Sequence, residues 1–185
     1  MSTHLPGVVT GFAAEPREIL LSTSGVITIP IVVDGDKSVD GNSPSETYDV
    51  RPGWLMGQVT TSGRWTPCKR TRALASSSGG ESSSAGDFTV IPVDNASAFR
   101  VGDLVSIGAD ANLTITDVDY DQDMITVDEP IAFAADEVVA AQDGSQTCRG
   151  VLLDFVRLRN EDNTAAVHKS ATLLVAGLVD AGKLL

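Results

Sequence analysis

Four aspartates occupy every second position of one segment: Asp117, Asp119, Asp121 and Asp123. Carboxylates at this spacing are typical of calcium loops, because calcium takes several oxygen ligands from a short stretch of chain. An EF-hand loop that began at Asp117 would need glycine where Gln122 stands and glutamate where Asp128 stands. The flanking residues are β-branched and favour strands over helices. The segment therefore predicts a hairpin with an acidic rim.

A hydrolytic triad would need a nucleophile, a base and an orienting acid. Ser170 and His168 are of the right types, but no GxSxG turn surrounds the serine. The other histidine, His4, lies at the opposite end of the chain, so histidines provide little for zinc. We expect His168 on the surface. The sequence predicts no catalytic, no cofactor-binding and no metal-binding residues, and the chain is not expected to be an enzyme.

The two cysteines, Cys68 and Cys148, allow two interpretations. Two cysteines form no disulfide framework, and synthesis in a reducing compartment favours two free thiols that pack as small apolar side chains. If the intervening residues are an insertion, the two cysteines lie on the last strand before it and the first strand after it. A disulfide in an assembled, oxidised particle is then the alternative.

The composition limits the partners. The chain has 185 residues, 42% hydrophobic and 21% charged, with a formal net charge of −12. No lysine and arginine cluster is present to neutralise phosphates, which argues against nucleic acid. The longest apolar run, Gly25–Val33, is too short to cross a bilayer. We expect neither a nucleic acid nor a membrane partner.

One predicted hairpin, residues 51–68, contains both tryptophans of the chain. Arg-Pro-Gly at its start is a turn signal, residues 54–60 read as a strand, and residues 61–63 form the next turn. Residues 64–68 return as a second strand, which Pro67 confines to an edge or an end. We predict that this hairpin nucleates the core through five residues: Trp54, Leu55, Gly57, Val59 and Trp65.

The rest of the chain divides by composition into segments. Residues 1–24 form an N-terminal arm, residues 76–86 a Gly/Ser linker, and residues 87–145 a β-module with five short strand signals. A short helical turn is expected at residues 95–99, a turn at Glu129-Pro130 and a central strand at residues 150–158. The predicted fold is mainly β with little helix. Its core, residues 25–75 and 146–185, carries the module as an inserted small antiparallel barrel or sandwich.

Two pieces of this core resemble the lambda-type phage head decoration (capsid cement) proteins. The resemblance is carried by Arg51–Val59 with Gly63–Pro67, by Gly150–Leu153, and by Leu173–Leu185. It covers about 100 residues, and the stretch from Ala75 to about Gln146 is extra to a minimal member of that family.

The resemblance implies a lambda-decoration-like β core and a homotrimer that stabilises the outer surface of an expanded icosahedral head. The implied partner is the major capsid protein, and the implied location is the virion after synthesis in the bacterial cytoplasm. In that family the N-terminal arm becomes ordered on the capsid by adding to its β-structure. By position, the capsid contacts here would be Glu15, Arg17, Ile19, Leu20 and Leu21.

An alternative function is an accessory protein that binds a glycan or a host cell surface through the inserted module. Such a site needs exposed aromatic side chains, and the module offers few. Phe88, Phe99 and Phe133 lie in apolar patterns that suit a core, which leaves Tyr120. The decoration protein is the preferred hypothesis.

Overall fold

The structure is a computed structural model, described here for residues 25–43, 46–75, 88–160, 162, 165–177 and 184–185. Thirteen strands lie in these ranges: β1 Ile27–Val33, β2 Asp49–Val50, β3 Leu55–Gln58, β4 Trp65–Pro67, β5 Arg70–Arg72, β6 Phe88–Pro92, β7 Leu104–Ile107, β8 Asp110–Asp119, β9 Met124–Ile131, β10 Val138–Ala141, β11 Cys148–Leu152, β12 Val156–Arg157 and β13 Lys169–Ala176. No helix occurs in these ranges. The mainly β fold is therefore confirmed.

Five strands close into a barrel in the order β1-β13-β11-β3-β4. β1 is rich in β-branched residues and pairs antiparallel with β13, while a single parallel pair, Val33 with Trp65, closes the barrel. The side chains that alternate inward, such as Ile31 and Leu173, share one buried cluster with Trp54. β2 and β12 form a separate two-stranded sheet beside them.

The other six strands form a second sheet in the order β5-β10-β7-β8-β9-β6, which curls into a half-barrel. An isolated bridge between Ala73 and Val93 brings its two ends together. A separate buried cluster, centred on Phe99, fills its interior. Residues 70–72 were expected in the core but pair with β10 of this sheet. The strands of the second sheet therefore begin before the Gly/Ser segment.

The two sheets are joined by polar contacts as well as by the chain. The Gly41 N–H donates to the Ser97 carbonyl oxygen (2.9 Å), and the Tyr120 ring lies where a Cβ on Gly41 would be placed. Arg100 donates from Nη1 to the Asp36 carbonyl oxygen. The loop after β1 is therefore held against the second sheet.

Two local predictions were wrong, and a third was met only in part. The predicted strand at 150–158 is divided into β11 and β12 by Asp154, whose Oδ2 accepts the Thr172 N–H. The expected turn at Glu129-Pro130 lies inside β9, where proline is tolerated because the pairing of β9 with β8 ends at Val127. The expected helical turn at 95–99 is a single hydrogen-bonded turn and not a helix. The Phe99 N–H donates to the Ala96 carbonyl oxygen (2.9 Å), and the Asn95 Oδ1 accepts the Ser97 N–H (2.8 Å).

None of the described residues forms a helix that is long and apolar enough to span a membrane.

Candidate functional site

The arm residues of the predicted capsid contact, Glu15, Arg17, Ile19, Leu20 and Leu21, lie outside the described residues. The first described strand after them is β1, so β1 is the part of the folded protein nearest in sequence to the predicted capsid contact. The described residues therefore bear on this prediction through the properties of β1.

One edge of β1 lacks a partner among the described residues over most of its length. The strand pairs with β13 from Ile27 to Val33 on one side, but on the other side it meets β4 only at Val33. We call Ile27–Val32 the β1 edge. Its unpaired N–H and C=O groups are available to a further strand, and Pro30, which has no N–H, is compatible with an edge position.

The β1 edge is apolar as well as unpaired. Ile27 is 57% exposed, Ile29 37% and Val32 43%. A groove of about 430 Å³ runs beside it, lined on the far side by the β3–β4 turn and Trp65. An extended chain in this groove would gain main-chain hydrogen bonds and bury β-branched side chains together.

The predicted core hairpin is largely buried, with one exception. Trp54 is 4% exposed, Val59 2% and Trp65 9%, and Gly57 is buried between its strand neighbours. A Cβ at Gly57 would lie 1.9 Å from the Ser145 carbonyl oxygen, so this position requires glycine. Leu55 was expected in the core but is 37% exposed, because its side chain faces out of the barrel.

His168 lies on the surface, as expected, and its ring is part of a cluster with Asp34 and Asp36. Its side chain is 32% exposed; Nδ1 lies 3.6 Å from the Asp34 Oδ1, and Nε2 lies 3.8 Å from the Asp36 Oδ2. These are metal-ligand types, and their atoms lie within 4.8 Å of one another. Sequence reasoning missed the cluster because His168 is more than 130 positions from both aspartates and meets them only when β1 pairs with β13.

The hydrogen bonds of this cluster favour a structural role. The Gly35 N–H donates to the His168 Nδ1 (3.1 Å), so a neutral ring carries its proton on Nε2 and presents no free nitrogen lone pair to a cation. The Asp34 Oδ1 accepts the Asp36 N–H (3.0 Å), and its Oδ2 accepts the Ser62 hydroxyl (3.3 Å). The cluster therefore fixes the turn after β1 against the hairpin.

The alternating aspartates have structural partners too. The Asp119 Oδ1 accepts the N–H groups of Asp121 and Gln122, each at 3.0 Å, and shapes the β8–β9 turn. The Asp123 Oδ1 accepts the Ala96 N–H (2.9 Å) and holds the loop after β6. Among the described residues these carboxylates do not gather into a group with metal-ligand spacing.

Ser170 and His168 do not form the nucleophile–base pair of a triad. Ser170 pairs with Val32 on the barrel, whereas the His168 ring nitrogens face Gly35 and the two aspartates. The hydrogen bonds of the described residues include none between the serine and the histidine.

The aromatic side chains of the second sheet bear on the alternative of a glycan-binding module. Phe99 is 0% exposed and Phe133 7%, while Tyr120 donates its hydroxyl to the Phe99 carbonyl oxygen (3.0 Å). Burial raises the pKa of Tyr120 to about 12, against the opposing effect of Arg100. Phe88 was expected in the core but is 43% exposed. One exposed phenylalanine provides little aromatic surface for stacking against a sugar ring, so the glycan-binding alternative gains little support.

The preferred interpretation of the cysteines was wrong. Cys68 and Cys148 form a disulfide, with Cα atoms 5.4 Å apart and 80 positions apart in sequence. Cys68 directly follows β4 and Cys148 begins β11, and these two strands lie on either side of β3 in the barrel. The disulfide ties the two crossings of the chain between the barrel and the second sheet.

Comparison with protein-family models, with curated proteins and with solved structures found no match to this chain.

Proposed function

We propose that this protein decorates the outer surface of an expanded icosahedral phage head as a homotrimer. Its partner is the major capsid protein, and its function is to stabilise the shell mechanically. Each trimer makes several modest contacts with separate capsid subunits, and these contacts add up through effective concentration.

The observation that carries this proposal is the β1 edge. The strand directly after the arm offers main-chain groups that pair with none of the described residues, and three exposed β-branched side chains, Ile27, Ile29 and Val32. Long apolar edges of this kind are normally blocked, because they recruit other strands. An edge left open beside a groove suits a protein that holds a segment of another subunit by strand addition.

The Cys68–Cys148 disulfide supports the same proposal. A disulfide persists in oxidising surroundings and is rare in a reducing cytoplasm. A head protein is made in the reducing cytoplasm of the bacterium but has to persist outside the cell. The disulfide then forms, or remains intact, in the oxidising environment of the released particle.

The arm is tested by its apolar residues. Ile19→Asp with Leu21→Asp should abolish co-sedimentation with expanded heads, because charged side chains cannot be buried against the capsid. The matched control, Ser22→Asp with Ser24→Asp, adds the same charge to the same segment and should bind like the unchanged protein. Deletion of residues 1–24 should also abolish binding and leave the soluble oligomer folded. If the deleted protein still saturates expanded heads, the assignment of the contact to the arm is wrong.

The β1 edge is tested by Val32→Asp. Val32 is 43% exposed, so the substitution should weaken head binding and leave the thermal unfolding midpoint almost unchanged. Val101→Asp makes the same chemical change at a side chain that is 57% exposed in the turn before β7 and should bind normally. Equal binding by both variants would contradict a role for the β1 edge.

A further inference from the structure

Lys69 is the largest side chain with no exposed surface in the described part of the chain. Its Nζ lies 2.6 Å from the Oδ2 of Asp103, and the two side chains are 0% and 4% exposed. Lysine is almost never fully buried, and taking two ions out of water costs several kcal/mol for each. Because the desolvation of this pair is so unfavourable, the chemistry open to the buried amine and carboxyl group has to be considered.

The backbone holds both groups in place. The Lys69 carbonyl oxygen accepts the Ala141 N–H (3.0 Å), which fixes the residue beside β10. The Asp103 carbonyl oxygen accepts the Ile115 N–H (2.9 Å), and the Arg100 N–H donates to the carboxyl Oδ2 (2.9 Å). An amine and a carboxyl group fixed at hydrogen-bond distance have a high effective concentration for reaction with each other.

Burial also changes the protonation of the pair. Desolvation lowers the pKa of Lys69, opposed by the nearby Asp103 carboxylate. Transfer of one proton along the short N–H···O contact converts the two ions into a neutral amine and a neutral carboxylic acid. The amine then has a lone pair beside the carboxyl carbon, and water is excluded from the site.

We propose that Lys69 and Asp103 become joined by an intramolecular amide bond between Nζ and Cγ. The nitrogen lone pair attacks Cγ, and the electrons of the C=O bond move to Oδ1. A proton then passes from the nitrogen to the Oδ2 hydroxyl, and the collapse of the intermediate expels Oδ2 as water. One N–C bond forms, one C–O bond breaks, one water leaves, and no oxidant or reductant is needed.

The bond would tie the junction of β4 and β5 to the start of β7. These points are 34 residues apart in sequence, and β10 lies between β5 and β7 in the sheet. The amide bond and the adjacent Cys68–Cys148 disulfide would form two covalent cross-links at the junction of the barrel and the second sheet. Unlike the disulfide, the amide bond survives reduction.

The test is the mass of the reduced, denatured wild-type protein. We expect it to be lower than the sequence mass by one water, and a proteolytic digest should contain one branched peptide that joins Lys69 to Asp103. Lys69→Arg should have its full sequence mass, whereas the control Lys37→Arg should keep the deficit. Because Lys69→Arg can fail to fold, the wild-type measurement decides. Full sequence mass after prolonged incubation, with the Lys69 amine open to acylation in the denatured chain, would overturn the proposal.

Discussion

Removal of the Cys68–Cys148 disulfide should destabilise the protein substantially. The two residues are 80 positions apart, so the cross-link removes a large amount of conformational entropy from the unfolded chain. The chain-entropy relation gives about 4.5 kcal/mol at room temperature for a loop of this length. For a urea dependence of about 2–3 kcal/mol per molar, this lowers the unfolding midpoint by about 1.5–2.3 M.

Tryptophan fluorescence is a suitable probe, because Trp54 and Trp65 both lie in the buried cluster of the barrel. Urea unfolding should be followed for the wild type with and without a thiol reductant, and for Cys68→Ser with Cys148→Ser. The reduced wild type and the double variant should share the lower midpoint, and the reductant should not affect the double variant. A reduced wild type with an unchanged midpoint, or two free thiols in the denatured, unreduced protein, would refute the reasoning.

Three further predictions concern single residues. Gly57→Ala should lower the free energy of unfolding by about 3 kcal/mol or more in urea titrations, because a Cβ there meets the Ser145 carbonyl oxygen. Arg51→Met should lower the free energy of unfolding by about 3–5 kcal/mol in the same assay, because it leaves the fully buried Asp40 carboxylate without its 2.7 Å partner. An unchanged unfolding midpoint in either variant would contradict the packing described. Tyr120 should form its phenolate only near pH 12, because its pKa is about 12 in the folded protein against 10.0 in the unfolded chain. Its contribution to stability is therefore present below pH 10 and is lost as the pH rises through 12. Absorbance titration of the wild type against Tyr120→Phe measures this pKa.

The sequence could predict the strands because their signals are local. β1 and β7 coincide with β-branched runs that turn residues bound in the sequence, and such runs specify a strand without knowledge of its neighbours. The expected turn at Glu129-Pro130 was wrong because β9 continues past the proline and pairs with β6 at Ile131.

What the sequence could not predict depends on contacts between distant segments. Nothing in Cys-Lys-Arg-Thr-Arg indicates that Lys69 is buried, since its partner Asp103 is 34 residues away. The His168 cluster exists only because β13 returns beside β1. The sequence leaves the disulfide as the alternative because synthesis in a reducing compartment favours free thiols, and only the fold brings the two cysteines together.

The central claim is tested most directly by electron cryomicroscopy of expanded, undecorated heads incubated with the purified protein. The proposed partner is a major capsid protein encoded by the same genome, and the heads should be assembled from that protein. The account predicts density for three copies at threefold or quasi-threefold positions, with a segment continuous with β1 reaching the shell. Heads without added density, at protein concentrations in large excess over the capsid subunits, would contradict it.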